Sequence, residues 1–360
     1  MTPQNNNQQP RPAQGLVGTT LPSGWRLVEE VLPYAGKTGG TFCVGYLAER
    51  DGNRAFVKVV DFIAAMHNRP DAIVAIQEAS SVVIAERAVL ELCRDRRLTR
   101  VIRMVDAGDY EAPQFAGQLL GKVFYFVFEP AESDVRKEIS LNADAGILWK
   151  LRVLKDVAIG IQQLDQIGVA HQDIKPSNVL LMERPEDGGD HKLGDLGRAV
   201  RVDVTGPVDD LVFPGDLLYA PLSAWYGIRE PEWVDGRTAG DLYMLGVLAC
   251  FLFAQVNLTQ LQLNLLKPEL KRPAWTGTFQ DVLPFLIDVH AKALELVEDS
   301  FPEPYKVELV SLVRELTNPN PLKRGDPRAR ARVGRPPGTE VYVSKFSALV
   351  KRAELRDKDG

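Results

Sequence analysis

The sequence predicts an α+β fold, because strand patterns are concentrated near its start and helical patterns dominate the remainder. Short apolar or alternating runs predict strands at residues 25–30, 42–47, 54–60 and 123–129. Apolar residues at helical spacing predict helices at residues 72–93, 148–164, 242–254, 282–297 and 344–355. We therefore expect a small strand-rich part with one main helix, followed by a larger, mainly helical part.

The composition is that of a soluble folded protein with one large core or two smaller ones. The chain has 360 residues, of which 45% are apolar and 25% are charged. A net charge of −5 gives no broad reason to expect a nucleic acid as partner. Cys43, Cys93 and Cys250 are odd in number and widely spaced, so they predict neither a disulfide framework nor a zinc site. A reducing compartment fits this pattern, and we expect a cytoplasmic protein.

One apolar run raises the question of a membrane span. Residues 242–266 carry no charge, but the strictly apolar part, residues 242–254, has only 13 residues. A span needs about 20 apolar residues, so this run predicts a buried core helix and no membrane association. The N-terminus is polar and lacks the pattern of a signal peptide.

The two ends of the chain are polar. Residues 1–23 contain an Asn/Gln run and several prolines, and their composition predicts a disordered N-terminal tail. Folded sequence is expected to begin near Trp25. Residues 357–360 are predicted to be a polar C-terminal tail.

The densest group of reactive side chains lies at residues 171–181, where a polar loop runs directly into an apolar strand. Asp173 is the natural general base for a hydroxyl group, and Lys175 offers a positive charge to a transferring phosphoryl group. Asn178 provides an amide oxygen that can help to hold a metal ion. Asp195 follows 22 residues after Asp173, and its carboxylate, together with the Asn178 amide oxygen, suits a hard cation.

These two stretches resemble the catalytic loop and the magnesium-binding Asp-Phe-Gly motif of protein kinases. Leu196 replaces the Phe of that motif, and Gln172 replaces the Arg that usually precedes the catalytic Asp. Lys175–Pro176 is typical of the serine/threonine branch. The resemblance implies a two-lobed fold, with an N-lobe at residues 24–130 and a C-lobe at residues 131–356. It also implies ATP in the cleft at the hinge, Mg²⁺ held by Asp195 and Asn178, and a protein substrate with a Ser or Thr acceptor.

The resemblance assigns further nucleotide contacts in the N-lobe. Lys58, in the strand at residues 54–60, corresponds to the lysine that binds the α- and β-phosphates. Glu86 is our choice for the acid that pairs with this lysine, and Glu78 is its rival. Gly36, Gly39 and Gly40 form a glycine-rich turn between two strands that would cover the phosphates, although the G-x-x-G-G pattern departs from the family's.

The predicted hinge follows the aromatic strand at residues 123–129. By resemblance, Phe128 lies at the back of the adenine site. The carbonyl of Glu129 and the N–H of Ala131 would bind adenine, and Asp134 would reach the ribose.

Several positions depart from the family's pattern. Phe56 stands where a small Ala usually covers the adenine, and Leu222 stands where a Glu usually pairs with a late Arg, here Arg324. Glu230 and Glu232 are both candidates to replace that Glu. The family's threonine before the Ala220–Pro221 motif is missing, and Gly215–Asp216 lies nearby instead. Asp241, at the start of the apolar helix, corresponds to the acid that ties down the catalytic-loop backbone.

The sequence therefore predicts a serine/threonine protein kinase that uses ATP and Mg²⁺. Two alternatives stay open. A pseudokinase acting as a binding module is favoured by Phe56, the irregular glycine turn and Leu222. A small-molecule kinase of the aminoglycoside type shares the His-x-Asp loop, but Lys175–Pro176 argues against it. The sequence predicts no particular substrate protein or oligomeric state.

Overall fold

The computed structural model describes residues 11–32, 42–67, 70–118, 121–142, 145–182, 191–334 and 336–359. It divides into two compact units. The first comprises residues 1–84 and 102–131, and the second comprises residues 85–101 and 132–360.

The first unit is built on a five-stranded antiparallel sheet with the order β1-β2-β3-β5-β4. Its strands are β1 (Arg26–Val31), β2 (Cys43–Arg50), β3 (Asn53–Val60), β4 (Met104–Glu111) and β5 (Lys122–Phe128). The helices α1 (Phe62–His67) and α2 (Ala72–Asp95) follow β3, and α2 passes from the first unit into the second. The prediction of a strand-rich N-terminal part with one main helix is confirmed.

The β2–β3 hairpin sets the register of the strand that carries Lys58. Arg50 pairs with Asn53 across the two-residue turn Asp51–Gly52, where both φ angles are positive, at 51° and 76°. Asp-Gly is a preferred pair for such a turn, because its backbone twist matches that of the strands. In β3, Ala55, Val57 and Val59 point into the core and are at most 1% exposed. Phe56 and Lys58 therefore lie together on the opposite face of the sheet.

The N-terminal segment completes the core of this unit. Ala13, Leu16 and Leu21 are at most 2% exposed and pack in the same cluster as Trp25. The Tyr46 hydroxyl donates to the Ala13 carbonyl at 2.8 Å. The prediction of disorder for residues 1–23 is therefore wrong for residues 11–23, because a few apolar side chains find partners in a distant strand. Residues 1–10 lie outside the described residues.

The second unit is mainly helical. Its helices are α3 (Val135–Leu141), α4 (Ile147–Gln166), α5 (Leu222–Trp225), α6 (Ala239–Ala254), α7 (Leu258–Leu265), α8 (Phe279–Val297), α9 (Lys306–Leu316), α10 (Pro327–Arg330) and α11 (Thr339–Asp359). Short strands carry the reactive loops: β6 (Ala131–Asp134), β8 (Val179–Met182) and β9 (His191–Leu193) form one sheet, and β7 (Val169–Ala170) pairs with β10 (Val200–Arg201). The predicted α+β class is confirmed, and the arrangement is consistent with the two-lobed kinase fold.

The polar C-terminal residues continue the last helix. α11 extends from Thr339 to Asp359 and so includes most of the segment predicted to be a tail. Its buried residues, such as Tyr342, Phe346 and Leu349, are completely inaccessible to solvent. Contact with the helical unit therefore stabilises a helix that is longer than its apolar pattern predicts.

The apolar helix α6 is the centre of the second unit. Within the described ranges, the stretch Val234–Ala254 is the one helix long and apolar enough to cross a membrane, but 83% of its apolar window is buried inside the protein. At Gly246, a Cβ atom would lie 2.5 Å from Cγ2 of Thr317, so glycine lets α6 pack closely against the end of α9. The stretch is the core helix that its limited apolar length predicts.

Candidate active site

Asp241 fixes the backbone of the loop that carries the reactive residues. It lies in the first turn of α6 and is 2% exposed. The backbone N–H groups of His171 and Gln172 donate to its two carboxylate oxygens at 2.7 and 2.8 Å. Gln172 has a φ of 63°, a strained value for a residue other than glycine, and these bonds hold it there. The structure thus shows the contact that we predicted for Asp241.

The loop brings Asp173, Lys175 and Asn178 together. Lys175 Nζ lies 2.9 Å from Asp173 Oδ2, and both side chains are nearly inaccessible to solvent. Asn178 Nδ2 donates to the same Oδ2 at 3.0 Å and to the Asp173 carbonyl at 2.8 Å. Because the Asn178 amide hydrogens point at Asp173, its carbonyl oxygen faces the other way, as a ligand for a cation requires. Three of the residues chosen from sequence therefore form one cluster.

Gly215 and Asp216 complete this cluster from the segment before Ala220–Pro221. The Asp216 N–H donates to Asp173 Oδ1 at 2.9 Å, and Asp216 Oδ2 lies 3.7 Å from Lys175 Nζ. We noted the pair from sequence only as an oddity in the place of a threonine. A backbone N–H can come from almost any residue type, so the residue types do not predict this contact. The only indication in the sequence is the position of the pair shortly before Ala220–Pro221.

The surroundings make Asp173 a stronger base than an exposed aspartate. Burial is the largest influence on the pKa of Asp173 and raises it above its ordinary value. The Lys175 charge and the Asp216 N–H partly oppose this effect, whereas the Asp195 charge adds to it. A raised pKa makes a carboxylate a better acceptor for a hydroxyl proton.

The strand β9 delivers Asp195 to the same loop. The Gly194 N–H donates to the Asn178 carbonyl at 2.9 Å, and His171 Nε2 lies 3.0 Å from the Gly194 carbonyl. Because the Asp173 N–H donates to His171 Nδ1, the ring carries its proton on Nε2 and donates it to Gly194. Asp195 itself has a φ of 58°. These bonds hold the strained turn in which the Asp-Leu-Gly sequence begins.

A buried ion pair secures the start of β9. His191 Nδ1 lies 3.0 Å from Asp156 Oδ2, and Arg100 Nε donates to Asp156 Oδ1 at 3.0 Å. Burial tends to raise the pKa of Asp156, but the His191 hydrogen bond and the Arg100 charge outweigh it, so the pKa is lowered. These contacts favour the charged form of this buried carboxylate, which lies on helix α4.

The residues present fit a magnesium ion that is shared with phosphate groups. Asp195 and Asn178 provide a carboxylate and an amide oxygen, the ligands that Mg²⁺ prefers. In the part of the chain that the structure describes, no group of three or more His, Cys, Asp or Glu side chains could hold a metal alone. Mg²⁺ commonly takes only one or two carboxylates from a protein and completes its shell with phosphate oxygens and water.

Burial separates the two candidates for the acid on α2. Glu86 is 4% exposed, whereas Glu78 is on the exposed side of the helix. A Cβ at Gly197 would lie 3.4 Å from Glu86 Oε2, so the Glu86 carboxylate lies beside the Asp-Leu-Gly sequence within the second unit. Glu86 is thus the buried one of the two acids, and its pairing with Lys58 stays a prediction.

In the first unit, Lys58 lies in the middle of β3, paired with Gly45 on one side and Phe126 on the other. The neighbouring Phe56 ring covers Gly45: a Cβ there would lie 2.9 Å from the ring atoms Cε2 and Cζ. Phe56 is half-buried and lies outside the core side of the sheet. The ring therefore lies beside Gly45 on the face of the sheet that also carries Lys58.

The remaining predicted nucleotide contacts are only partly described. Gly36, Gly39 and Gly40 lie outside the described residues. The N–H of Glu129 donates to the Arg103 carbonyl at 3.1 Å, and Ala131 begins β6. Asp134 is the N-cap of α3, where its side chain accepts the Lys137 N–H at 3.0 Å. Asp134 thus has a structural role at the helix start that the sequence did not indicate.

Arg324 is buried without the acid that Leu222 has replaced. It is 2% exposed, lies over the Tyr243 ring at 5.1 Å, and has no hydrogen-bond partner for Nη2 within the described residues. Burial lowers its pKa to about 10, and the Glu230 charge is among those that oppose this shift. Glu230 also lines a small cavity beside Arg324. Of the two candidates named from sequence, Glu230 is therefore the one near Arg324.

Comparison with known proteins gives similarities to protein kinases over part of the chain. No protein-family model matches. The chain is 30% identical to the probable cyclin-dependent kinase 8 of Dictyostelium discoideum over 168 residues, 44% of this chain and 40% of that protein. It is 36% identical to serine/threonine-protein kinase A of Synechocystis over 91 residues, 24% of this chain and 16% of that protein.

A third similarity has a similar extent. The chain is 24% identical to a probable cell division protein kinase of Encephalitozoon cuniculi over 144 residues, 40% of this chain and 46% of that protein. The chain thus spans less than half the length of these curated relatives. Together with the fold, the similarities support a place for this chain in the protein kinase superfamily.

Proposed function

We propose that this protein is a serine/threonine protein kinase that transfers the γ-phosphoryl group of Mg-ATP to a hydroxyl group of a protein substrate. The observation that carries the proposal is the cluster of Asp173, Lys175 and Asn178, with Asp195 delivered to the same loop by β9. A base, a cation and two metal-binding oxygens are the parts that phosphoryl transfer requires from a protein.

Asp173 acts as the general base in this proposal. Its carboxylate would position the acceptor hydroxyl and take up its proton as the oxygen forms a bond to the γ-phosphorus, the bond to the β-phosphate breaks and ADP leaves. Asp216 N–H, Asn178 and Lys175 fix the carboxylate from three directions, so little reorganisation is needed during the reaction.

Lys175 balances the charge of the transferring group. Its ammonium group lies between the Asp173 and Asp216 carboxylates, and it is 4% exposed. A buried cation acts strongly on developing charge because little water screens it. By resemblance, Lys58 would bind the α- and β-phosphates. Magnesium held by Asp195 and Asn178 would supply charge neutralisation at the phosphate oxygens.

The choice of Ser or Thr as acceptor is supported by Lys175–Pro176, which is typical of that branch of the family. The partial similarity to a protein named a serine/threonine kinase points the same way. A pseudokinase is the second candidate, and the specific observation in its favour is the Phe56 ring on the Lys58 face of β3. The filled positions of the Asp173 cluster favour activity.

A transfer assay tests the proposal. Purified protein is incubated with labelled Mg-ATP and, in separate reactions, a basic protein and an aminoglycoside, followed by phosphoamino-acid analysis. We expect phosphoserine or phosphothreonine in the protein. Label only on the aminoglycoside would establish the small-molecule alternative. Nucleotide binding without transfer to either acceptor would establish the binding module.

The variant Asp173→Asn tests the assigned base. We expect turnover to fall by about 10²–10⁴-fold, the usual contribution of general-base help. The matched control is Asp210→Asn, which removes an exposed carboxylate from the neighbouring segment and should leave turnover unchanged. Thermal unfolding of both variants is measured to check that the fold persists. Wild-type turnover in a folded Asp173→Asn protein would contradict the mechanism.

A further inference from the structure

The segment between Asp195 and Pro221 is tied to the catalytic loop by a group of side chains that the proposed chemistry does not use. We call this group the segment bridge, and it consists of Gln172, Asp209, Arg229, Arg237 and Asp241. Arg237 lies in a single π-helical turn, Val234–Thr238, that leads into α6. It is 6% exposed and joins two parts of the chain that are far apart in sequence.

Gln172 is the inner end of the segment bridge. Its side chain is completely buried, and its amide nitrogen donates to the Arg237 carbonyl at 3.0 Å and to Asp241 Oδ1 at 2.9 Å. Its amide oxygen accepts from Arg237 Nη1 at 3.2 Å. Both amide hydrogens and the oxygen are thus engaged, so the side chain has one defined orientation.

Arg237 carries the link to the segment. Its Nη2 donates to the Asp209 carbonyl at 2.9 Å. Arg229 Nη1 donates to the same carbonyl and to the Leu211 carbonyl at 3.1 Å. The Asp209 side chain in turn accepts the Gly206 N–H at 2.7 Å. Residues 206–211 are therefore held at three backbone positions by two guanidinium groups and one carboxylate.

The charges of the segment bridge balance internally. Asp209 and Asp241 carry two negative charges, and Arg229 and Arg237 carry two positive ones. Among the described residues, one oxygen of Asp209 has no hydrogen-bond donor, and the Asp209 carboxylate interacts favourably with the Arg237 charge. An added phosphate would bring about −1.5 to −2 charges to a group whose cations are already engaged.

The held segment leads directly to the active site. Four residues after Leu211, Gly215 packs on the Gln172 carbonyl, and Asp216 donates its N–H to Asp173. The segment bridge and these contacts therefore fix both ends of residues 206–216 on the same loop.

We propose that Arg237 is a positioning residue for the transfer reaction: it holds residues 206–211 against Gln172 and thereby places Gly215 and Asp216 beside Asp173 without a phosphate. This inference rests on the proposed kinase function for its kinetic consequence. Its structural consequence, an ordered segment that depends on Arg237, does not require activity.

The test compares Arg237→Met and Arg237→Lys with the control Arg201→Met. Methionine keeps much of the arginine side-chain volume but removes the hydrogen-bond donors. Lysine keeps the positive charge but cannot donate two hydrogen bonds from a planar group, as the guanidinium does. Arg201 belongs to the same segment, but its guanidinium pairs with the exposed Asp203. Hydrogen–deuterium exchange is measured for peptides that cover residues 204–213, together with kcat and KM for the protein substrate and the affinity for ATP.

We expect at least tenfold faster exchange of residues 204–213 in Arg237→Met, and a tenfold or greater fall in kcat with ATP affinity changed less than twofold. The exchange rate and kcat of Arg237→Lys should lie between those of Arg237→Met and the wild type. Both quantities in Arg201→Met should match the wild type. Unchanged exchange and unchanged kcat in a folded Arg237→Met protein would overturn the inference. Accelerated exchange throughout the second unit with unchanged kcat would reduce Arg237 to a residue that only stabilises the fold, and would also overturn it.

Arg229→Met provides a second route if Arg237→Met does not fold. Arg229 is exposed, so its loss is tolerated more easily, and it donates to the same Asp209 carbonyl. Faster exchange at residues 204–213 in Arg229→Met would support the inference, and wild-type exchange would contradict it. A wild-type protein with no transferase activity would instead refute the proposed kinase function, whatever the exchange data show.

Discussion

Gly215 packs so closely against Gln172 that a Cβ at Gly215 would lie 2.0 Å from the Gln172 carbonyl oxygen and 2.9 Å from Asp173 Oδ1. No side chain fits in that space without moving the backbone. Because the next residue, Asp216, donates its N–H to Asp173, a shift at Gly215 would also disturb the Asp173 carboxylate. The glycine that the sequence places near the missing threonine thus allows the close contact between the two loops.

Gly215→Ala should therefore reduce activity far more than it reduces stability. The added methyl group pushes residues 215–216 away from the catalytic loop and weakens the hydrogen bond to Asp173. We expect turnover to fall at least tenfold and the unfolding midpoint to fall by less in comparison, because Gly215 and Asp216 are only partly buried. The control is Gly146→Ala, where a Cβ meets nothing within 4 Å. Equal turnover in the two variants would show that the close contact is not needed for catalysis.

Phe56→Ala tests the role of the ring on the Lys58 face. We expect ATP affinity to stay the same or to increase, because Ala is the residue that the family usually has there. Phe56 is half-buried and lies on the face of β3 opposite the core. The loss of stability should therefore be smaller than that for replacing a buried Phe by Ala, which is typically about 3–5 kcal/mol. ATP titration and thermal unfolding are measured together.

The ring's contact with Gly45 offers an internal control for this variant. Gly45→Ala alone should destabilise the sheet, because its Cβ would lie 2.9 Å from the Phe56 ring. In the Phe56→Ala background, Gly45→Ala should reduce the free energy of unfolding much less. Weaker ATP binding in Phe56→Ala with an unchanged unfolding midpoint would mean that the ring contributes to nucleotide binding.

His290 makes stability depend on pH. It is 5% exposed, and its Nε2 lies 2.8 Å from the Thr317 hydroxyl. Burial lowers the pKa of His290 to about 4, with additional effects from the positive charges of Arg314 and Arg324. The unfolded chain, with an ordinary pKa of 6.5, binds a proton more readily than the folded one between these values, so stability falls as the pH falls through this window.

The expected loss follows from the difference between the two pKa values. Between pH 7 and pH 5, protonation of His290 in the unfolded chain should lower the free energy of unfolding by about 2 kcal/mol. In His290→Gln, which retains a hydrogen-bonding group but does not titrate, this part of the pH dependence should disappear. Urea unfolding at both pH values measures it. An identical pH dependence in wild type and variant would assign the effect to other groups.

The sequence predicted those features that depend on local pattern. The buried helix α6 and the strand β5 have continuous apolar runs, and Asp173, Lys175 and Asn178 lie within one short loop, so their proximity follows from the chain itself. The packing of residues 11–23 was missed because three separated apolar side chains make no periodic pattern, and their partner Tyr46 is 33 residues from Ala13.

The contacts that the sequence did not predict have one physical cause: they join residues that are far apart in the chain. Arg237 and Gln172 are 65 residues apart, and Asp216 reaches Asp173 through a backbone N–H rather than a side chain. Residue types reveal neither a contact between side chains far apart in the chain nor a hydrogen bond donated by the backbone. The reactive groups are thus predictable from the chain, whereas the residues that position them become known only once the fold brings them together.

The last expectation concerns control by phosphorylation. In many kinases, the Arg before the catalytic Asp binds a phosphate on the segment that follows the metal-binding motif. Here that position is Gln172, which is neutral and fully engaged with Arg237 and Asp241. Thr205 is the only Ser or Thr between Asp195 and Pro221, and it is exposed.

Thr205→Ala should therefore retain most of the activity, and treatment of the wild type with a phosphatase should change its rate little. Arg229 and Arg237 already bind backbone carbonyls of residues 209 and 211, and Arg201 pairs with Asp203, so these three cations are engaged without a phosphate. Initial rates on an exogenous protein substrate are measured for the wild type, Thr205→Ala and the phosphatase-treated enzyme, with Asp173→Asn as the inactive reference. A fall of tenfold or more in both altered samples, about 1.4 kcal/mol of barrier, would show that a phosphate on Thr205 orders the segment despite Gln172.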